Sequence, residues 1–330
     1  MERFADPIDR ALLNDWQRDF PITARPFGVL AQNLGTTERD VIDRLRGKLA
    51  GGQITRVGAT CAPNTISAST LAAVAAPEHR IKDVARIIGE EPGVNHSYLR
   101  ENAWNLWFVA TGPDRVQVDA TLSRIGHRCG LRVLNLPLVR PFNLDLGFSL
   151  RGDGARGPLT CAPDAGALRS GDRDIMQALM RGLPLAPQPY AVLSETLRRS
   201  EAEIMDRIRA LSAARIIARL GVIVRHRALG WRANAMVVWD MPHDAITQAG
   251  PMLAEQPGVT LCYERMPVAG IWPYRLYAMI HARSRAEALA RLEDATRACP
   301  GLADVPHLAL FSSHCFKQTG ALVTRERSPA

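Results

Sequence analysis

The chain has 330 residues, 47% apolar and 22% charged, which is long enough for two or three domains and apolar enough to bury their cores, so a disordered or fibrous protein is excluded. No stretch approaches the roughly 18 apolar residues of a membrane span, and Met1-Glu2-Arg3-Phe4-Ala5-Asp6 leads into no apolar run that could act as a secretion signal, so a soluble cytoplasmic protein without membrane contact is expected. The net charge of +8 comes from 41 Lys plus Arg, nearly all Arg, against 33 Asp plus Glu; because arginine grips carboxylate and phosphate bidentately, the excess points to an anionic partner, nucleic acid or a polycarboxylate.

In chain order, Leu12, Leu13 and Trp16 recur at helical spacing within residues 8–18, and Pro26 opens a second helical pattern through Phe27, Leu30 and Leu34. Thr36 or Thr37 with Glu38 marks a helix start before Val41, Ile42 and Leu45, and residues 53–59 read as a wing strand. Three short helices and a wing predict a winged helix-turn-helix. Beyond it, helical runs (81–88) alternate with strand-like runs (106–110) in a β-α-β-β-α-β order, which predicts a ferredoxin-like fold. Residues 149–171, with five glycines and two prolines, sustain neither pattern and read as a linker. The same series then returns, with a strand over 276–281 and a helix over 286–296.

The return is a repeat. In one register Pro21 aligns with Pro184, Pro26 with Pro189, Phe27 with Tyr190, Leu30 with Leu193, Glu38 with Glu201 and Asp43-Arg44-Leu45 with Asp206-Arg207-Ile208. Ile54-Thr55-Arg56-Val57-Gly58 aligns with Ile217-Ala218-Arg219-Leu220-Gly221. After small insertions Pro92-Gly93-Val94 meets Pro257-Gly258-Val259, Tyr98 meets Tyr263, Arg100 meets Arg265 and Leu106 meets Leu276. The expected fold class is therefore α+β, a tandem duplication. Its domains are helix-turn-helix-like 1–60, ferredoxin-like 61–148, linker 149–171, helix-turn-helix-like 172–222 and ferredoxin-like 223–330. Sister domains in one chain pair as homodimer subunits would, giving an intramolecular pseudo-dimer. Further homo-oligomerisation stays open.

This order of modules resembles the leucine-responsive (Lrp/AsnC) transcription regulators, which implies DNA binding through residues 37–49. Yet that segment carries Glu38, Asp40 and Asp43, and its repeat carries Glu201, Glu203 and Asp206, which oppose the phosphate backbone. DNA binding is disfavoured. A haem-responsive regulator of this type remains the alternative from a different functional class.

A more specific signal lies in the segments PGVNHSYLRENAWNLWFVATGPD and PGVTLCYERMPVAGIWPYRLYAMIHARS. They resemble the signature segments of the siroheme decarboxylases, which reuse the regulator fold. The first matches a His-x-Tyr-x-Arg run (His96, Tyr98, Arg100) followed by Asn105-Leu106-Trp107-Phe108. The second matches Cys262-Tyr263-x-Arg265, Trp272-Pro273-Tyr274 and Met279-Ile280-His281. Arg225-His226-Arg227-Ala228-Leu229-Gly230 and Phe316-Lys317 match as well. The resemblance covers both halves and fits a fused two-subunit form of the enzyme. It implies non-oxidative loss of carbon dioxide from the C12 and C18 acetates of siroheme, through a monodecarboxylated species to 12,18-didecarboxysiroheme, in haem d1 synthesis.

The substrate class, a flat iron macrocycle with eight carboxylates, asks for aromatic walls, cationic clamps and a proton donor. His96 and His226 are the candidate catalytic acids, since imidazole titrates near neutrality, and either is also a candidate ligand to the substrate iron. Each occurs in one copy only: Leu261 stands opposite His96 in the repeat and Pro63 opposite His226. One site per chain is expected. Arg100 and Arg265 are candidate clamps or hairpin partners of Glu101 and Glu264, and Arg225, Arg227 and Lys317 are further candidates. Trp104, Trp107, Trp272 and Tyr274 are candidate ring walls, of which half should be core, and Tyr98 and Tyr263 are further substrate-binding candidates. His281 and His314 complete the set, His314 standing where the first copy has Arg140. No protein-bound metal or cofactor is implied: there is no Gly-rich nucleotide loop, and Cys61, Cys129, Cys161, Cys262, Cys299 and Cys315 form no C-x-x-C pair.

Overall fold

The computed structural model describes residues 6–143, 147 and 162–324. In the first copy, Asp6 caps α1 (Pro7–Asn14) by accepting from the amides of Ile8 and Asp9, and a 3-10 turn follows at Asp15–Gln17. Helix α2 (Pro26–Leu34) opens on Pro26, whose missing N–H costs nothing in a first turn, and closes on left-handed Gly35 (φ 65°). Thr37 caps α3 (Glu38–Ala50) through the Asp40 amide. The chain continues through β1 (Ile54–Cys61), β2 (Ala68–Val74), α4 (Ile81–Glu90), β3 (Val94–Arg100), β4 (Leu106–Gly112), α5 (Arg115–Cys129) and β5 (Val133–Asn143). Of the expected linker, residues 149–161 lie outside the described residues; 162–171 hold one 3-10 turn, Ala165–Ala167. The second copy runs α6 (Asp172–Arg181), α7 (Pro189–Leu197), α8 (Glu201–Ala213), β6 (Ile217–Val224), β7 (Ala233–Trp239), α9 (His243–Ala254), β8 (Val259–Arg265), β9 (Leu276–Ala282), α10 (Arg285–Ala298) and β10 (His307–Gln318).

The two copies do not fold as two separate halves. Among the described residues, contacts divide the chain into a helical unit (residues 6–66, 162–229 and 323–324) and a sheet unit (67–143, 147 and 230–322), each built from both copies. In the helical unit, each wing strand finds its partner in its sister: β1 and β6 pair antiparallel with Gly58 opposite Gly221, the same position in the two repeats. A pseudo-twofold axis passes through that pair. Both positions exclude a side chain, because a Cβ on Gly58 would lie 2.2 Å from the Leu179 carbonyl oxygen and one on Gly221 would lie 2.4 Å from that of Gln17. The symmetry extends to side chains. Arg46 donates to the Leu185 carbonyl (2.7 Å) and Arg209 to that of Ile22 (2.6 Å), while Arg44–Asp9 recurs as Arg207–Asp172.

In the sheet unit each copy forms the expected ferredoxin-like sheet, in the order β5-β2-β4-β3 and β10-β7-β9-β8. Antiparallel pairing of β3 with β10 and of β5 with β8 joins the edges into a closed eight-stranded barrel. Closure removes unpaired edge strands. Alternation along each strand sends Ala72, Val74, Leu106 and Phe108 outward against Val84, Ile88, Leu122 and Ile125, and Val237, Trp239, Ala278 and Ile280 outward against Ile246, Leu253 and Leu292. The opposite faces bury Leu71, Ala73, Trp107, Leu134 and Leu136 together with Met236, Val238, Tyr263, Tyr277, Met279 and Leu310, so both copies share one interior.

The two seams differ. On the β5–β8 seam Arg140 stands opposite Glu264, and the fully buried carboxylate accepts from Arg140 Nε (2.7 Å) and meets His243 Nδ1 (2.6 Å). On the β3–β10 seam the corresponding pair is His314 opposite Leu99.

A Gly-to-Ala change in a strand ordinarily favours folding slightly. At Gly221 the new methyl would collide with the Gln17 backbone, so Gly221→Ala is expected to lower stability by about 2 kcal/mol or more, measured by urea denaturation.

Candidate active site

The inner wall of the barrel is built from strand register. On β3, Tyr98 stands opposite Trp107 and His96 opposite Val109, both interior residues, so His96, Tyr98 and Arg100 face inward. On β8, Tyr263 stands opposite Tyr277 and Leu261 opposite Met279, which puts Tyr263 and Arg265 at the symmetry-related place. Each arginine crosses to the other copy: Arg100 Nη1 donates to the Leu310 carbonyl (2.9 Å) and Arg265 Nη1 to the Leu136 carbonyl (2.8 Å). Each guanidinium also lies near its neighbouring tyrosine ring, at 5.5 Å from the centroid for Arg100 over Tyr98 and 4.6 Å for Arg265 over Tyr263.

Among the described residues neither arginine has a carboxylate partner. The hairpin alternatives are occupied: Glu101 pairs with Arg285, and Glu264 with Arg140 and His243. The Nε atoms of Arg100 and Arg265 are buried with no hydrogen-bond acceptor. Burial lowers the Arg100 guanidinium to about 10, so it still carries its charge at neutral pH.

The copies differ around this framework. Tyr263 is buried and stacks on Tyr277 (5.6 Å between centroids); Trp272 donates to the Tyr277 hydroxyl (2.8 Å) and packs against Trp107 (5.1 Å) and Tyr274 (4.8 Å). His96 and Tyr98, in contrast, are half-buried with their rings stacked 6.4 Å apart. Trp104 is half-buried, and its carbonyl accepts from Trp107 Nε1 (2.6 Å). Of the expected ring walls, Trp107 and Trp272 are thus core while Trp104 and Tyr274 keep some exposure; of the two tyrosines, Tyr263 is buried and Tyr98 half-buried.

Three expectations change. His281 is buried, and both its ring nitrogens are engaged within the protein, Nε2 with the Asn234 amide (2.6 Å) and Nδ1 with the Thr260 hydroxyl (2.7 Å). Burial, and after it the Arg100 charge, lowers its pKa to about 3, so it is neutral at physiological pH. Lys317 lies opposite Ser97 on the outer face, where its ammonium donates to the carbonyls of Gly89 (2.7 Å) and Glu91 (3.0 Å) at the end of α4. It acts as a helix C-terminal cation rather than a clamp. His314 is exposed beside Phe316 (4.5 Å), turned outward by a register shift after Ser312. Arg225, His226 and Arg227 occupy the turn after β6 in the helical unit, where Arg225 N donates to Gln53 O and Leu229 N to His226 O. His226 is half-buried and the two arginines are exposed.

Asn234 and Thr260, the partners of His281, escaped the sequence reading. A signal existed: Asn234 interrupts the apolar run Ala233-Asn234-Ala235-Met236-Val237-Val238-Trp239 at an inward position.

The helices that would read DNA offer few free cations. Arg44 pairs with Asp6, Asp9 and Asp40, Lys48 with Asp9, Arg46 with Asp43, and Arg209 with Asp206. Among the described residues no cluster of three His, Cys, Asp or Glu could hold a metal ion, and no helix is long and apolar enough to cross a membrane.

A family model described as a siroheme decarboxylase NirDL-like HTH domain matches residues 9–54 and 172–217, and one described as an AsnC-like ligand binding domain matches residues 66–143 and 228–317. The chain belongs to the siroheme decarboxylase family. It is 54% identical over 318 residues to a siroheme decarboxylase NirDL subunit of Paracoccus denitrificans, covering 96% of this chain and 98% of that one. A single-copy relative, the siroheme decarboxylase NirD subunit of Stutzerimonas stutzeri, is 42% identical over 145 residues, 44% of this chain and 95% of its own. A crystal structure of the siroheme decarboxylase NirDL in co-complex with an iron-uroporphyrin III analogue superposes with a TM-score of 0.64 at 25% identity, covering 96% of this chain and 94% of that one. The family thus accounts for both the duplicated helix-turn-helix and the duplicated sheet.

Between about pH 6.5 and 3 the unfolded chain binds a proton at His281 that the folded chain does not, so this group's contribution to stability is lost as pH falls. Up to about 2 kcal/mol should disappear between pH 6.5 and 5. Urea titrations should show a flatter pH slope for His281→Gln over that range, and identical slopes would overturn the assignment.

Proposed function

We propose that this chain is a carboxy-lyase that removes carbon dioxide from the C12 and C18 acetate groups of siroheme, giving 12,18-didecarboxysiroheme for haem d1 synthesis. The observation that carries the reading is the pair of inward arginines, Arg100 and Arg265, without a carboxylate partner among the described residues, on a wall of aromatic rings. A ring bearing eight carboxylates supplies the missing anions and a face for Tyr98 and Trp104. The 54% identical relative is named for this activity, and a solved relative holds an iron-uroporphyrin analogue.

In this reading Arg100 and Arg265 hold carboxylates that are not lost, which aligns the reacting acetate. The bond between the acetate methylene and its carboxylate breaks, carbon dioxide leaves, and the electron pair stays on the methylene carbon next to the pyrrole. His96, half-buried on the same wall, acts as the general acid and delivers a proton to that carbon, leaving a methyl group. One proton taken from the bulk solvent per turnover restores the imidazolium before the second acetate reacts. His226, with Arg225 and Arg227, is assigned the second proton transfer or a bond to the substrate iron. The iron arrives with the substrate, no resident cofactor takes part, and one ring reacts per chain because Leu261 replaces His96 in the second copy. The setting is the cytoplasm.

Anaerobic incubation with siroheme, followed by mass analysis, should show loss of two carbon dioxide units. Tight binding without loss of mass would overturn the reading. His96→Ala should retain binding and lose activity by about 100-fold or more, whereas full activity would remove His96 as the acid; His226→Ala should accumulate the monodecarboxylated species.

A further inference from the structure

Arg100 makes its polar contacts with neutral groups: the Leu310 carbonyl, the Asn234 side chain (Nη2 to Oδ1, 3.2 Å) and the face of Tyr98. A guanidinium can only donate, so Asn234 presents its oxygen to Arg100 and its NH2 to His281 Nε2. The imidazole therefore accepts at Nε2, carries its hydrogen on Nδ1 and donates to Thr260 Oγ1, whose hydroxyl in turn donates to the Met279 carbonyl (3.1 Å). Each link has one direction, running from Arg100 to the backbone of β9. The matching positions of the first copy, Ser69 and Thr111, pair in the same register but do not repeat it, since Thr111 Oγ1 donates to Gly93 O (3.1 Å).

A buried cation is ordinarily neutralised by a carboxylate. Aspartate at position 234 would be almost isosteric and would do this; the chain has the amide instead. We propose that Asn234, His281 and Thr260 form a neutral positioning chain that fixes the Arg100 guanidinium while leaving its charge uncompensated for one carboxylate of the substrate. The buried Nε of Arg100, which lacks an acceptor, marks the edge left for that carboxylate. None of the three positioning residues touches the substrate. The inference rests on Arg100 as a clamp, as in the proposed function.

Asn234→Asp tests it, because the carboxylate would satisfy Arg100 internally. Binding of iron uroporphyrin III, an octacarboxylate, is followed by absorbance titration beside thermal unfolding. The expected result is a Kd raised at least about tenfold with Tm unchanged or higher, a divergence that a merely structural residue would not produce. In an Arg100→Gln background the same change should alter Kd by less than about twofold, since its effect passes through the guanidinium. Undiminished binding by Asn234→Asp, or a loss that adds in full to that of Arg100→Gln, overturns the proposal. If Asn234→Asp does not fold, Asn234→Ser, which drops both links, should also weaken binding in the Arg100 background alone, and additivity there overturns it equally. The two readings separate on the wild type: binding of the octacarboxylate without decarboxylation of siroheme removes the activity and leaves the clamp, whereas siroheme turnover with undiminished Asn234→Asp binding removes the positioning chain alone.

Discussion

Each four-stranded sheet is apolar on both faces, and its own two helices cover only one of them. The other face, with Leu71, Ala73, Trp107 and Leu134 in one copy and Met236, Val238, Tyr277 and Met279 in the other, is removed from water by the sister sheet. Barrel closure is the constraint on which the rest of the sheet unit depends. It pairs the edge strands, gives the two copies a common core and creates the water-poor interior in which the polar residues of β3, β7 and β9 meet. Carrying both sheets on one chain makes that pairing intramolecular and independent of protein concentration.

Inside such an interior a charge is costly unless it is compensated, so the few polar groups there are informative. The second copy fills its side with Tyr263, Tyr277 and Trp272, ring against ring. The first copy leaves His96 and Tyr98 partly open and buries Arg100 against neutral partners. The copies diverge on a framework of Tyr and Arg that both retain, one side filled with packed rings and the other left partly open.

The helical unit shows a related change of use. Its three-helix order is that of a DNA reader, yet the arginines of α3 and α8 answer aspartates and the carbonyls of the opposite copy. The strand that would form a wing pairs with its sister instead, with two glycines at the axis because neighbouring backbone passes too close for a Cβ. Here the helix-turn-helix elements and their strands form an intramolecular dimerisation module.

Much of this was legible in the sequence. The repeat, the cap at Thr37, the first-turn proline Pro26, the element order and the signature residues are local or periodic features, set by propensity and hydrophobic spacing, and they led to the family that the comparisons established. Partners distant in sequence were not legible. Which edge β1 joins, that Glu264 answers Arg140 rather than Arg265, and that Asn234 links Arg100 to His281 depend on pairing between copies. The face of His314 was hidden for another reason: a register shift in β10 breaks the two-residue alternation by which a sequence assigns sides. The sequence by itself determined the duplication, the fold of each copy and the family. The tertiary structure alone decided which residues share the barrel wall, because burial and charge compensation are set by neighbours brought together only when the barrel closes.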